Sequence, residues 1–108
     1  MLDGYIFKTP EEKKVLTADF GSDILATDTI KTIGASSATK VVALDPLGAD
    51  VSSVVISSTT ISSLTLLITL MAGVDGSDYR IVATAEATTA HTITDKLYEL
   101  RVRSGSKA

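Results

Sequence analysis

Histidine occurs once, at position 91, and cysteine does not occur at all. A hydrolase of the Ser–His–carboxylate kind would need His91 beside a serine and an acid, and no Gly-x-Ser-x-Gly elbow presents any serine as a nucleophile. One imidazole and no thiolate leave no transition-metal centre, which takes roughly two or three such ligands. Calcium is the remaining option, because Asp75 and Asp78, with Asp45 or Asp50, are hard oxygen donors. Their spacing has no EF-hand register and no closing Glu, so they read as turn formers. His91 reads as a loop residue among threonines, and Glu11, Glu12, Lys13 and Lys14 as a solvated charge cluster. The expectation is a protein that is not an enzyme, with no catalytic residue, no cofactor and no metal.

What must be positioned, then, is a surface. The chain has 108 residues, enough for one domain, and a net charge of −3. Mild acidity disfavours a nucleic-acid partner, whose phosphates need a basic face. No apolar run reaches the roughly 18 residues of a membrane helix, and the N-terminus lacks the basic-then-apolar order of a secretion signal. Thr and Ser make up a quarter of the chain, and Val and Ile are abundant, a β-branched composition that favours strands.

Alternation with period two locates those strands. Tyr98, Leu100 and Val102 fall on one face, with Glu99, Arg101 and Arg103 on the other. Tyr79, Ile81, Ala83 and Ala85 alternate with Arg80, Val82, Thr84 and Glu86, and a polar loop at 88–91 suits a hairpin between the two runs. Across residues 64–71 both faces are apolar, so either the strand is central or Leu67 and Met71 meet another subunit. Weaker strands are read at 13–20, 28–33, 40–44 and 51–58, with a turn at 57–60. Tyr5, Ile6 and Phe7 read as a strand, followed at Thr9-Pro10-Glu11-Glu12 by at most one helical turn. The pattern predicts an all-β fold: an immunoglobulin-like, two-sheet antiparallel sandwich of about seven strands without a disulfide. Residues 1–12 form an arm or first strand, 13–103 the sandwich, and 104–108 a tail.

The motifs occur in a definite order. Phe7-Lys8-Thr9-Pro10-Glu11 is followed by Val15-Leu16-Thr17-Ala18-Asp19-Phe20, then by Leu25-Ala26-Thr27-Asp28-Thr29-Ile30. Later come Ala72-Gly73-Val74-Asp75-Gly76-Ser77-Asp78-Tyr79, then Thr88-Thr89-Ala90, then Leu100-Arg101-Val102-Arg103. This order resembles that of small tailed-phage virion proteins of the fibre–tail adaptor or neck-associated type, over nearly the whole chain. Phe20 stands where that family usually has Trp, its Gly pair is reduced to Ala72-Gly73, and Lys31, Thr32 and Ile33 replace the aromatic after Asp-Thr-Ile.

The resemblance implies a structural protein of the virion, made in the host bacterial cytoplasm. It would be a neck or tail adaptor that attaches tail or fibre during viral assembly. Its partners would be other virion proteins (portal, head–tail adaptor, tail or fibre proteins), in a homo-oligomeric ring, with no nucleic acid and no membrane. Asp19, Phe20, Asp28, Thr29, Ile30, Gly73, Gly76 and Tyr79 would serve the fold. The contact residues would be Leu2, Tyr5, Phe7 and Lys8 in a terminal arm, Leu67 and Met71 on one sheet, and Arg80, Arg101 and Arg103 on the last strands. Two other classes fit a sandwich: a carbohydrate-type ligand-binding module and a cell-surface structural subunit. The first is disfavoured because Trp, Asn and Gln are all absent.

Overall fold

The computed structural model describes residues 2–34 and 36–104. Seven strands and one short helix follow in chain order: β1 (Gly4–Lys8), β2 (Lys14–Asp19), β3 (Lys40–Leu44), α1 (Ser52–Val55), β4 (Ile56–Ser62), β5 (Thr65–Leu70), β6 (Asp78–Glu86) and β7 (Ile93–Val102). They form two sheets, ordered β1-β7-β6-β3 and β2-β5-β4. The chain changes sheet after β1, after β2, through α1 and again after β5. The result is an immunoglobulin-like β-sandwich.

One pairing departs from the antiparallel expectation. β1 runs parallel to β7, with Tyr5 opposite Glu99 and Phe7 opposite Arg101. A parallel pair needs a long connection, and here the rest of the domain supplies it.

Burial follows the alternation. Leu16 and Ala18 of β2, Leu66, Ile68 and Leu70 of β5, Ile81, Ala83 and Ala85 of β6, and Leu100 and Val102 of β7 fill the space between the sheets. Phe20, just beyond β2, is fully buried with them. The β6–β7 hairpin is as read, its strands paired from Asp78–Arg101 to Glu86–Ile93.

Two segments differ from the sequence reading. Residues 28–33 make no strand beyond a single bridge from Ile30 to Ala87. Asp28 instead caps the β6–β7 loop: its carboxylate accepts the N–H groups of Thr29 (2.8 Å), Thr89 (3.0 Å) and Ala90 (3.1 Å). Thr29 joins the same clamp, its hydroxyl 2.8 Å from that of Thr88 and its carbonyl accepting Thr88 N–H at 2.9 Å. Side chains that bond backbone locally compete with a ladder, and here they win.

The second difference lies at 51–62. The Ser/Thr run at 57–60 is strand, not turn, because β-branched threonines suit a pleated edge. A helical turn precedes it, and the reversal falls at Ser63-Leu64, where Ser63 takes φ 57. At 9–12 half of a capping box forms without a helix: Thr9 N–H donates to Glu12 Oε1 at 3.0 Å.

The Asp28 clamp is sensitive to acid. Its N–H donors, Thr29 first, hold the carboxyl below the usual carboxylate range, against a smaller opposing effect of burial. A depressed folded-state pKa contributes stability above the unfolded value of about 3.9 and loses it as pH falls through the folded value. On acidification the Thr89 and Ala90 amides should therefore lose protection, measured against the intrinsic exchange rate at each pH, before the core opens, as amide exchange by NMR would read. In Asp28→Ala they should exchange fast at neutral pH as well.

Candidate interaction surface

The outer face of the four-stranded sheet brings together four of the nine residues expected at an interface: Tyr5, Phe7, Arg80 and Arg101. Cross-strand register lays them out in rows. Val42, Val82 and Leu97 form an apolar row across β3, β6 and β7. Below it lie Leu44, Arg80, Glu99 and Tyr5, and below these Asp78, Arg101 and Phe7. Above the apolar row stand Lys40, Thr84 and Asp95, which with Ser37, Ala38, Val42, Val82 and Ile93 line an open depression of about 490 Å³.

Arg101 is the most constrained charge on this face. Its Nε and Nη2 both donate to Glu99 Oε1, at 3.0 and 2.8 Å. The guanidinium lies 4.4 Å from the ring centroid of Tyr5 and 5.6 Å from that of Phe7. Those rings remain 55% and 40% exposed, large apolar area held in place beside a fixed cation. Pinned in this way, the three side chains lose little rotamer freedom when a partner covers them. Aromatic and Arg side chains of this kind are enriched where interfaces concentrate their binding energy. Arg80 is exposed and makes no ion pair among the described residues.

The other expected contact residues separate. Arg103 turns to the β5–β6 loop, donating to Val102 O at 2.9 Å, with Nη2 2.9 Å from Asp78 Oδ1 as an ion pair lacking hydrogen-bond alignment. Leu67 and Met71 are half-buried on the opposite sheet, away from Arg101. Leu2 is exposed just before β1, and Asp3 ties that end to β7 by accepting Leu97 N–H at 2.7 Å. Ser104 N–H donates to Asp75 Oδ1 at 2.7 Å; the remainder of the 104–108 tail lies outside the described residues.

Lys8 is a correction. Its place opposite Val102 turns it between the sheets, where it is 3% exposed. The ammonium donates to the carbonyls of Thr9 (2.6 Å) and Ala72 and, more weakly, Pro10, so it joins the β1–β2 turn to the β5–β6 loop. Burial lowers its pKa, with Glu12 and Glu11 opposing. A lysine in a short motif reads as a surface charge until the strand's facing is known.

The structural motif residues do what a fold requires. Asp19 Oδ1 accepts Gly21 N–H at 2.8 Å in the turn after β2. Tyr79 is buried and its hydroxyl accepts Val74 N–H at 2.9 Å, closing the loop that contains Gly73 and Gly76. Asp45 accepts the Leu47 and Ala49 N–H groups, and Asp50 accepts from Ser52, as turn formers. Among the described residues no three His, Cys, Asp or Glu side chains converge as a metal site.

His91, at φ 58, puts Nδ1 3.2 Å from Glu86 Oε2. Glu86 also accepts Ala38 N–H at 2.9 Å and lies 3.8 Å from Lys31, and these contacts, Ala38 first, hold it below the usual carboxylate range. The lone histidine thus fastens a loop.

Sequence reasoning missed the apolar row of Val42, Val82 and Leu97. Its signal was present, since Val82 shares the parity of Arg80, and Leu97 that of Glu99 and Arg101. No helix among the described residues is long and apolar enough to cross a membrane. Compared with models of known protein families and with curated proteins, the chain matches none.

Proposed function

We propose that this β-sandwich is a structural component of a tailed-phage virion, a neck or tail adaptor that works through protein–protein contacts. The order of motifs along the chain supports the phage setting. The observation that carries a contact role is the Arg101 guanidinium fixed by Glu99 against the exposed rings of Tyr5 and Phe7. Around it the outer face balances Arg80 and Lys40 against Asp78, Asp95 and Glu99 over apolar side chains, a mosaic suited to another protein surface. The partner class is another virion protein: portal, head–tail adaptor, tail or fibre.

Binding to purified portal, adaptor and fibre proteins tests this reading. Arg101→Ala should weaken the contact by about 2 kcal/mol, roughly 30-fold in Kd, because it removes the fixed cation and frees both rings. Melting should barely change, since an exposed pair adds little to stability. Binding unaltered by Arg101→Ala and by Tyr5→Ala would exclude this face, and no binding to any virion protein would exclude the role.

A further inference from the structure

We infer that the chain pairs with a second copy of itself through the free edge of β4, joining two three-stranded sheets into one of six strands. Edge strands offer unpaired N–H and C=O groups, and proteins guard them with charges, Pro or covering chain. Three of the four edges here carry such guards. The outer edge of β3 is covered by the chain's own return: Val51 N–H donates to Ala43 O at 2.8 Å, Ala43 N–H to Ser52 Oγ at 2.9 Å, and Leu44 bridges Asp50. β1 carries Lys8 pointing inward, and β2 has Lys14 at one end and Asp19 at the other.

β4 carries none of these. It reads Ile56-Ser57-Ser58-Thr59-Thr60-Ile61-Ser62, with no charge and no Pro. Its one irregularity, between Ile56 and Ser58, leaves 58–62 regular, and among the described residues no loop backbone hydrogen-bonds to 57–62.

The strand is complementary to itself. A two-fold axis through Thr60 sets Thr60 against its own counterpart, Ser58 against Ser62 of the second copy, and Thr59 against Ile61. Ser58, Thr60 and Ser62 are all exposed on the solvent face, so hydroxyl meets hydroxyl and no charges meet. The backbone agrees. The two-residue turn makes Ser62 and Thr65 the closing hydrogen-bonded pair of the β4–β5 hairpin. Alternation then directs the N–H and C=O of Thr59 and Ile61 outward, and the same axis matches these residues to each other. A foreign strand would find no charge to pair with on β4, whereas its own copy meets a matching face.

Sedimentation equilibrium of the full chain tests the pairing. The wild type should sediment at twice the 11.3 kDa of one chain. Thr60→Lys and Thr60→Glu, which place like charges on the axis, should each sediment as monomers. An equimolar mixture of the two should recover the doubled mass, which only folded variants can do. A wild type that stays at 11.3 kDa, variants that stay dimeric, or a mixture that stays monomeric would each overturn the assignment. The inference is independent of the virion reading, because Arg101→Ala alters one surface and Thr60→Lys the other.

Discussion

Phe20→Ala should cost about 4 kcal/mol, the largest loss expected from any single truncation in this chain. Phe20 is fully buried where β2 ends, and its own N–H donates to Leu64 O at 2.8 Å, so its backbone cannot follow a shrinking side chain. Lys96 Nζ lies 5.6 Å from the ring centroid while its charge pairs with Asp23 at 3.2 Å. Removing the ring therefore opens a cavity and also takes away the surface that orders this ion pair. A domain of this size has roughly 5–15 kcal/mol of stability in all, so the variant should be marginal. Urea denaturation would read the loss directly. Leu47→Ala, at a side chain 94% exposed, should stay within about 0.5 kcal/mol of the wild type. Equal midpoints for the two variants would show that Phe20 does not occupy the core.

Gly73→Ala should cost about 3 kcal/mol, from two sources. Gly73 sits at φ +96, where a side chain is strained, and a Cβ there would stand 2.8 Å from Val102 Cγ2 and 3.4 Å from Tyr79 Cε2. Val102 is fully buried and Tyr79 holds the Val74 N–H, so neither neighbour can move cheaply. Gly76 is the control. Its φ of +87 is comparable, but a Cβ would meet nothing within 4 Å, so Gly76→Ala should carry only the backbone cost of about 1–2 kcal/mol. The difference between the two midpoints measures the close approach at Gly73, and identical losses would show that no such approach exists. Ala72, at φ 50, already bears this strain beside it, one position where the resembled family has its other Gly.

Some of these positions were legible in advance. The alternation in β6 and β7 named the buried set Tyr79, Ile81, Ala83, Ala85, Tyr98, Leu100 and Val102, because a strand with one wet face must repeat every two residues. Gly76, expected to serve the fold, takes φ 87 in the β5–β6 loop, and an Asp-Gly pair between two alternating runs is a local turn signal. Residues 57–60 were misread because Ser and Thr serve turns and strands alike, and only pairing with β5 decides between them. Residues 28–30 were misread because Asp28 and Thr29 bond a loop some sixty residues away. No local pattern encodes that.

For the surface the division is sharper. Tyr5, Phe7 and Arg101 were each expected as contact residues from the sequence, but not that they stand together. Their meeting depends on β1 lying parallel to β7 with Phe7 opposite Arg101, a register fixed by closure of the whole domain. The same closure turned Lys8 inward and left β4 with an open edge. By itself, then, the chain determined which residues of β6 and β7 alternate into a core and that it bends at Gly76, since both follow from side-chain period and backbone sterics. Tertiary structure decided which outward residues became neighbours and which edge stayed free, since those depend on contacts between segments distant in the chain.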